Sequence, residues 1–293
     1  MVKPGSISDQ VLTKQAPSTA EPAQHLPWCQ RRDWFRPRFK QQPLAGISAE
    51  EIEAHFSAMP AYYWERVNLA DLVWGLETIH GFLRLVAAPN VPATTPFVSW
   101  RQMPQARRTR IMLCTWDRHG LLAKAAAALS AVRLNIIQAD VFTRADHVVL
   151  DVFSVMDADS GGSASQTRLQ EMTFLLDGAL SEPPRFASVW ACTRHRFLAP
   201  LSPLPPRISF DNDASALSTM VRVAAADRLG LLYDILQTLA DCGLNITQAR
   251  IETDDDLAHD IIHVTDAHGQ KVLDPLRLEV LRSRIEAALT VKD

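Results

Sequence analysis

Long apolar runs are missing from this 293-residue sequence, since none approaches the roughly 18 residues that a membrane-spanning helix needs. Its first residues, Met1–Ser6, lack the apolar core of a secretory signal. The four cysteines, Cys29, Cys114, Cys192 and Cys242, form no C-x-x-C pair, which excludes the common zinc and dithiol redox motifs. We therefore expect a cytoplasmic protein with reduced thiols and no membrane partner.

A strong charge of one sign and the usual catalytic signatures are also missing. The formal net charge of -3 gives no global attraction to nucleic acid or to an anionic membrane. A P-loop, a dinucleotide-binding glycine pattern and a serine nucleophile elbow do not occur. The 47% of hydrophobic residues is what an ordinary globular protein uses to form its cores. No catalytic residue, metal site or cofactor is predicted.

The N-terminal third divides into a tail, a helical region and a linker. Residues 1–46 are rich in Pro, Gln, Ser and Thr, which is typical of a loosely ordered tail. The region 47–106 begins with a capping box at Ser48, and Pro60 ends that helix. A second helix is predicted after Asn68, where apolar residues recur with a 3.6-residue period. Four prolines in the stretch 89–106 predict a linker.

The tail contains a segment, residues 28–40, in which basic residues alternate with aromatic ones. Such a segment can grip a nucleic-acid strand by charge and stacking. The alternative is an arm that packs its aromatic rings onto the globular part and leaves its arginines in water. We favour the second interpretation, so nucleic acid is not expected as a partner. Trp64 and Trp74 lie on predicted helices and are expected in the core.

The rest of the sequence contains an internal repeat with an offset of 110 residues. Asp117–Leu122 reads DRHGLL, and Asp227–Leu232 reads DRLGLL. Leu134–Ala139 reads LNIIQA, and Leu244–Ala249 reads LNITQA. Each pair agrees at five of six positions and both pairs share one offset, so chance is a poor explanation. The sequence therefore predicts two copies of one domain.

Each copy predicts the element order β-α-β-β-α, with the Asp-Arg-x-Gly turn between the first strand and the first helix. With a final strand, this is the ferredoxin-like βαββαβ arrangement of the α+β class. We expect two such domains, over residues 107–200 and 201–293, with helices on one sheet face and the other face free to pair. The predicted strands and second helices are Ile111–Trp116, Asn135–Thr143, His147–Val155 and Gln166–Leu180, then Met220–Ala224, Asn245–Thr253, His259–Thr265 and Pro275–Leu289.

The closing strand of each copy is ambiguous. In the first copy, either Phe186–Cys192 or Arg207–Phe210 would serve. In the second copy, few residues follow the last predicted helix, so the strand is missing or Arg207–Phe210 completes the second sheet. These alternatives stay open at the level of the sequence.

The turn before the first helix of each copy carries the predicted chemistry. Its Asp would cap the helix, and its Gly would permit a tight backbone path. Free N–H groups at a helix N-terminus favour a carboxylate, and the Asn that begins the second strand adds an amide beside the same turn. Such a site suits an amino-acid zwitterion, although the same residues would also serve the fold alone. The candidate ligand-binding residues are Asp117, Arg118, His119, Gly120, Leu121, Asn135, Ile136, Asp227, Arg228, Leu229, Gly230, Leu231, Asn245 and Ile246.

Those motifs resemble ACT domains, a family of small-molecule-binding modules, although His119 and Leu229 stand where the turn often has proline. The resemblance extends upstream, because Ile47–Leu83 is similar to the region before the ACT pair in the bifunctional PII uridylyltransferase/uridylyl-removing enzyme. Phe210–Asn212 is similar to the segment that leads into the second ACT domain of that enzyme. Since the ACT pair of that family senses glutamine, the resemblance implies a glutamine or related amino-acid signal in nitrogen metabolism.

The catalytic parts of that enzyme are missing from the sequence. A nucleotidyltransferase needs a Gly-Ser turn that leads into paired carboxylates for magnesium, and neither Gly5-Ser6 nor Gly162-Ser163 does so. The acidic run 254–256 falls in a predicted turn, where carboxylates are usually just solvated. The His259-Asp260 pair lies on a predicted strand rather than in an HD-type metal centre.

We therefore expect a non-enzymatic regulator that binds an amino acid, pairs its ACT domains or self-associates, and acts on a PII-pathway protein. One alternative is a regulatory fragment that works beside a separately encoded catalytic chain. Another is a structural or nucleic-acid-binding adaptor that uses the basic N-terminal arm.

Overall fold

Four helices precede two copies of a ββαββα unit in the part of the chain that the computed structural model describes, residues 26–39, 44, 46–180, 205–254 and 257–290. The helical region consists of α1 (Trp28–Phe39), α2 (Ala49–Ala58), α3 (Ala61–Arg66) and α4 (Leu69–Val86). The first repeat consists of β1 (Phe97–Met103), β2 (Arg108–Trp116), α5 (Leu121–Ala131), β3 (Leu134–Thr143), β4 (Val148–Asp157) and α6 (Gln166–Leu180). The second consists of β5 (Arg207–Asp211), β6 (Thr219–Ala226), α7 (Leu231–Asp241), β7 (Asn245–Asp254), β8 (Leu257–Thr265) and α8 (Pro275–Leu289).

Local signals start the helices where the sequence predicts. Ser48 Oγ accepts a hydrogen bond from the backbone N–H of Glu51, and the Glu51 carboxylate accepts one from the Ser48 N–H, so the capping box is confirmed. Asn68 Oδ1 accepts from the Asp71 N–H at 2.8 Å and caps α4 in the same way. The helix before Pro60 ends at Ala58, as predicted.

The prediction of a loosely ordered tail over 1–46 is wrong for Trp28–Phe39, which form α1. Phe35 and Phe39 are fully buried, so the interpretation of an arm that packs its aromatic rings is confirmed. Arg31 departs from it, since this side chain is buried and donates to the carbonyl oxygens of Trp64 and Val67. A buried guanidinium needs such acceptors. The backbone carbonyls at the end of α3 have no partner within the helix and supply them.

The eight strands form one antiparallel sheet in the order β1-β2-β4-β3-β7-β8-β6-β5. The two repeats therefore lie side by side, and β3 of the first pairs with β7 of the second. The join is antiparallel, with Ala139 opposite Ile251. This arrangement relates the repeats by an approximate two-fold axis, because each contributes one edge strand to the join and the two strands run in opposite directions.

The four helices of the repeats cover one face of the sheet and share a single apolar core with it. The helical region covers the opposite face of the first repeat only, where Trp64 and Trp74 are buried as predicted. Strand residues with even numbers, such as Met112 and Leu150, point into this second core, since successive strand residues alternate between faces. The equivalent face of the second repeat exposes Arg222. One of the two sheet faces that were expected to be free is therefore covered within the chain.

The strand that completes each repeat precedes the βαββα unit instead of following it. Arg207–Asp211 pairs with β6, which confirms that this segment completes the second sheet and excludes it from the first. In the first repeat the equivalent place is taken by Phe97–Met103, which pairs with β2, so the prediction of a linker over 89–106 is wrong there. The offset of 110 also relates Phe97 to Arg207, but a strand of only seven residues between prolines resembles a loop in the sequence.

The α+β class and the tandem ferredoxin-like arrangement behind a helical region are confirmed. Phe186–Cys192, the other closing strand considered, lies outside the described residues, and the division at residue 200 stays a prediction. Within the described part of the chain, no helix is long and apolar enough to cross a membrane.

Candidate functional site

Each Asp-Arg-x-Gly turn ends on a glycine that begins the following helix. Gly120 and Gly230 occupy the N-cap positions with φ values of 71° and 83°, in the left-handed region that favours glycine. The prediction that Asp117 and Asp227 cap these helices is wrong, since neither helix has a side-chain cap. The first N–H groups of a helix have no partner within it, so the turn leaves donors for a ligand.

The arginines of the two turns hold the fold together. The Arg118 guanidinium donates to the carbonyl oxygen of Leu180 at 2.7 Å and to that of Thr94 at 3.2 Å, which ties the turn to the end of α6. Arg228 forms an ion pair of 2.6 Å with Asp234. These side chains line the cavities described below, and their described contacts are structural.

The two predicted asparagines lie at the turn of the other repeat, not at the turn of their own. Asn135 donates to the Asp227 carboxylate at 2.8 Å, and the Asn245 carboxamide oxygen lies 3.1 Å from His119 Nδ1. The prediction that Asn135 belongs with the Asp117 turn is therefore wrong. The antiparallel pairing of β3 with β7 is the reason, because it places the first residues of each of these two strands beside the turn of the opposite repeat.

A cavity of about 570 Å³ lies between the repeats at the Asp117 turn. The volume falls in the usual range for small-molecule sites, about 300–1,000 Å³. Its wall is formed by the first residues of α5 and β7, the C-terminal end of β3 and the N-terminal part of β4. Seven of the predicted residues line it: Asp117, Arg118, His119, Gly120, Leu121, Asn245 and Ile246.

The pseudo-symmetric cavity at the Asp227 turn is almost filled, with a volume of about 10 Å³. Asn135, Ile136, Asp227, Arg228, Gly230 and Leu231 line it, whereas Leu229, the counterpart of His119, lines neither cavity. The hydrogen bond between Asn135 and Asp227 crosses this site and draws its two sides together. The structure therefore assembles the predicted residues into two equivalent sites of very different size, and ligand binding by them stays a prediction.

Two buried carboxyl groups were missed as site residues. Asp151 on β4 and Asp260 on β8 line the larger and the smaller cavity, at equivalent positions opposite Leu113 and Val223. Asp151 is 0% exposed and Asp260 is 2% exposed. The sequence signal for them was a charged residue in the middle of an apolar strand of each repeat. The two residues are 109 positions apart, so aligning the repeats at the offset of 110 does not match them.

Burial shapes the electrostatics of both sites. Burial, with a smaller effect of the Asp117 charge, raises the pKa of Asp151 well above its usual value. The same two causes, burial and then the Asp227 charge, raise the pKa of Asp260 to about 8. Partial burial also raises the pKa of Asp117. In each site burial therefore favours the uncharged form of the carboxyl group, which can both donate and accept a hydrogen bond.

The helical region forms one wall of the larger cavity through Pro60 and Tyr62. The Tyr62 hydroxyl donates to the Val141 carbonyl oxygen at 2.9 Å and lies 3.3 Å from the Thr247 carbonyl oxygen. One side chain of α3 thus touches β3 and β7 at their junction. The sequence signal for this wall was only a tyrosine after a helix break, which does not identify a cavity.

The HD pair is divided between the two sheet faces, because His259 is exposed and Asp260 is buried. Among the described residues, no group of three His, Cys, Asp or Glu side chains is arranged to hold a metal ion.

Comparison with known proteins agrees with this geometry. Residues 207–292 match the family described as ACR9-like, ACT-like domain. The bifunctional uridylyltransferase/uridylyl-removing enzyme of Azospirillum brasilense is 30% identical over 250 residues, 84% of this chain and 26% of that protein. The enzyme of the same name from Rhodospirillum rubrum is 28% identical over 198 residues, 64% of this chain and 20% of that protein. The resemblance predicted from the sequence motifs is confirmed.

The chain spans only about a fifth to a quarter of the length of these curated relatives. Among solved structures, an aspartate kinase from Synechocystis aligns with a TM-score of 0.31 and 17% identity, over 62% of this chain and 26% of that chain. That score is too low to bear on function. The matched part of the relatives is the ACT-containing region, whose role in proteins is regulatory.

Proposed function

We propose that this tandem ACT-type chain is a non-catalytic regulatory protein that senses an amino acid, with glutamine as the preferred ligand, in nitrogen metabolism. The single observation that carries the proposal is the cavity of about 570 Å³ at the junction of the two repeats. Its lining joins helix N–H donors, carboxylates and an asparagine amide, which is the chemistry that a zwitterion needs. The similarity to uridylyltransferase/uridylyl-removing enzymes supports a nitrogen signal, a cytoplasmic location and a PII-pathway protein partner.

The chemistry of the wall implies an orientation for the ligand. The α-carboxylate meets the N–H groups at the start of α5, where Leu122 and Ala123 line the cavity. The α-ammonium meets the Asp117 carboxylate and the Asn245 carboxamide oxygen. Binding replaces the contact between Asn245 and His119, so a ligand draws the β7 end of one repeat against the turn of the other. Bound amino acid would therefore bias the packing of the two repeats and, through Tyr62, the helical region.

Thermal unfolding in the presence of each standard amino acid tests the proposal. A ligand at 100 times its dissociation constant adds about 2.7 kcal/mol to the free energy of unfolding, which raises the midpoint by several degrees. Asn245→Ala removes a predicted ligand contact and should abolish most of the shift. Asn135→Ala is the matched control, because its site is almost filled, and it should bind like the parent. A flat response to the whole panel, or an unchanged shift in Asn245→Ala, contradicts the proposal.

A second candidate follows from the similarity to the Azospirillum brasilense enzyme: the chain would act as the sensory part of a uridylyltransferase system. Affinity capture with the full chain, with and without glutamine, tests this. Recovery of a nucleotidyltransferase or a PII-type protein supports the candidate, and its absence from both captures contradicts it.

A further inference from the structure

The Asp151 carboxyl group is the most costly unexplained feature of the larger cavity. It is 0% exposed, and neither of its oxygens has a hydrogen-bond partner among the described residues. A buried polar group without a partner destabilises a protein, so one that occurs in both repeats calls for a function.

The neighbours of Asp151 offer no substitute for a ligand. Its sheet neighbours are Leu113 on β2 and Val141 on β3, and both are buried apolar residues. The Arg118 guanidinium, which lines the same cavity, donates to backbone carbonyl oxygens instead. A hydrogen-bond donor for Asp151 therefore has to enter through the cavity that it lines.

We propose that Asp151 is a ligand-contacting residue that selects an amino acid whose side chain ends in an N–H donor. This inference rests on the proposed function and deepens it. With the ligand's α-groups at the start of α5 and at Asn245, the side chain extends along the wall formed by Val141, Val149 and Tyr62 toward Asp151. The shared chemistry is an N–H group, which either a carboxamide or a side-chain ammonium provides. A side-chain carboxylate would bring a further negative charge into a buried wall that already holds Asp117 and Asp151, and burial disfavours such a charge, so it is rejected.

The second repeat provides the contrast. Asp260 occupies the equivalent position with the same absence of described partners, but its cavity of about 10 Å³ has room for one water molecule at most. The chain would therefore bind one ligand, at Asp151, although both repeats carry the carboxyl group.

Isothermal titration of the full chain with glutamine, lysine, glutamate and norleucine tests the proposal, using Asp151→Leu and the matched control Asp260→Leu. Leucine has nearly the shape of aspartate but offers no hydrogen bond. The parent should prefer glutamine or lysine over glutamate and norleucine. Asp151→Leu should weaken the preferred ligand about 10- to 100-fold, the usual effect of losing a hydrogen bond to a charged or acidic group. Asp260→Leu should stay within about twofold of the parent.

The outcomes separate this proposal from the proposed function. If the parent binds no amino acid, the proposed function fails and this inference fails with it. If the parent binds but Asp151→Leu binds equally well, only the present inference is overturned. If the parent prefers norleucine or glutamate, the present inference and the assignment of glutamine both fail, while amino-acid sensing stands. If Asp151→Leu does not fold, the same titrations are made with Asp151→Asn. It should keep glutamine, which can still pair with an amide, and lose lysine at least tenfold. An unchanged ranking of all four ligands in Asp151→Asn overturns the proposal.

Discussion

Replacement of Asp260 by asparagine should stabilise the protein, and much more so at pH 8 than at pH 5. Burial, and to a lesser degree the charge of Asp227, raises the pKa of Asp260 to about 8 in the folded protein. In the unfolded chain an aspartate titrates near pH 3.9. Between these values the folded state holds a proton that the unfolded state has lost, so the stability of the parent falls as pH rises. Asparagine has the same shape but cannot ionise.

The magnitude follows from the size of the shift. Each pH unit between 5 and 8 lowers the free energy of unfolding of the parent by up to about 1.36 kcal/mol. The advantage of Asp260→Asn should therefore grow by about 3–4 kcal/mol over this interval. At pH 5 the side chain is uncharged in the folded state of both proteins, but the unfolded parent is already ionised, so Asp260→Asn should already be more stable by about 1.5 kcal/mol. Groups that titrate in both proteins, such as the histidines, cancel in the difference.

Urea unfolding at pH 5, 6, 7 and 8, with the slope of the transition checked at each pH, measures this difference. Asp211→Asn is the control, because backbone N–H groups of Asp213 and Ala214 lower the pKa of this exposed carboxyl. Its effect on stability should therefore be the same at pH 5 and pH 8. A pH-independent difference between Asp260→Asn and the parent would refute the reasoning, since it would mean that Asp260 is already ionised and solvated.

The helical region supplies two further predictions. Burial, and then the charge of Arg144, lowers the pKa of His55 to about 3, so the folded protein keeps this ring neutral while the unfolded chain gains a proton below pH 6.5. The parent should therefore lose about 2 kcal/mol relative to His55→Gln between pH 7 and pH 5 in urea unfolding, and parallel pH curves would contradict this. Gly81→Ala should destabilise by about 1–3 kcal/mol, because the new Cβ would lie 2.5 Å from Cζ of Phe97 between α4 and β1. Urea unfolding at pH 7 measures whether Gly81→Ala lowers or raises the free energy of unfolding. If the new methyl group had free space, helix propensity would instead raise it by up to about 1 kcal/mol.

Much of the fold could be predicted from the sequence, because it depends on interactions between residues that are close in the chain. The capping residues Ser48 and Asn68 act on backbone groups a few positions away, so their helices begin where the sequence predicts. The repeat at an offset of 110 identified two copies of one domain, and the Gly of each turn indicated a tight backbone path, which Gly120 follows with a left-handed backbone. Each of these features depends on neighbours in the chain, which a sequence displays directly.

Tertiary structure alone decided how the copies meet. The antiparallel pairing of β3 with β7 carries Asn135 to the Asp227 turn and Asn245 to the Asp117 turn, and no residue near either asparagine encodes that exchange. Of the two cavities at this join, one is open and the other is almost filled, although their turns are copies of one motif. Cavity volume and the burial of Asp151 depend on distant side chains that converge only in the folded chain, which is why the individual motifs could be recognised and their arrangement could not.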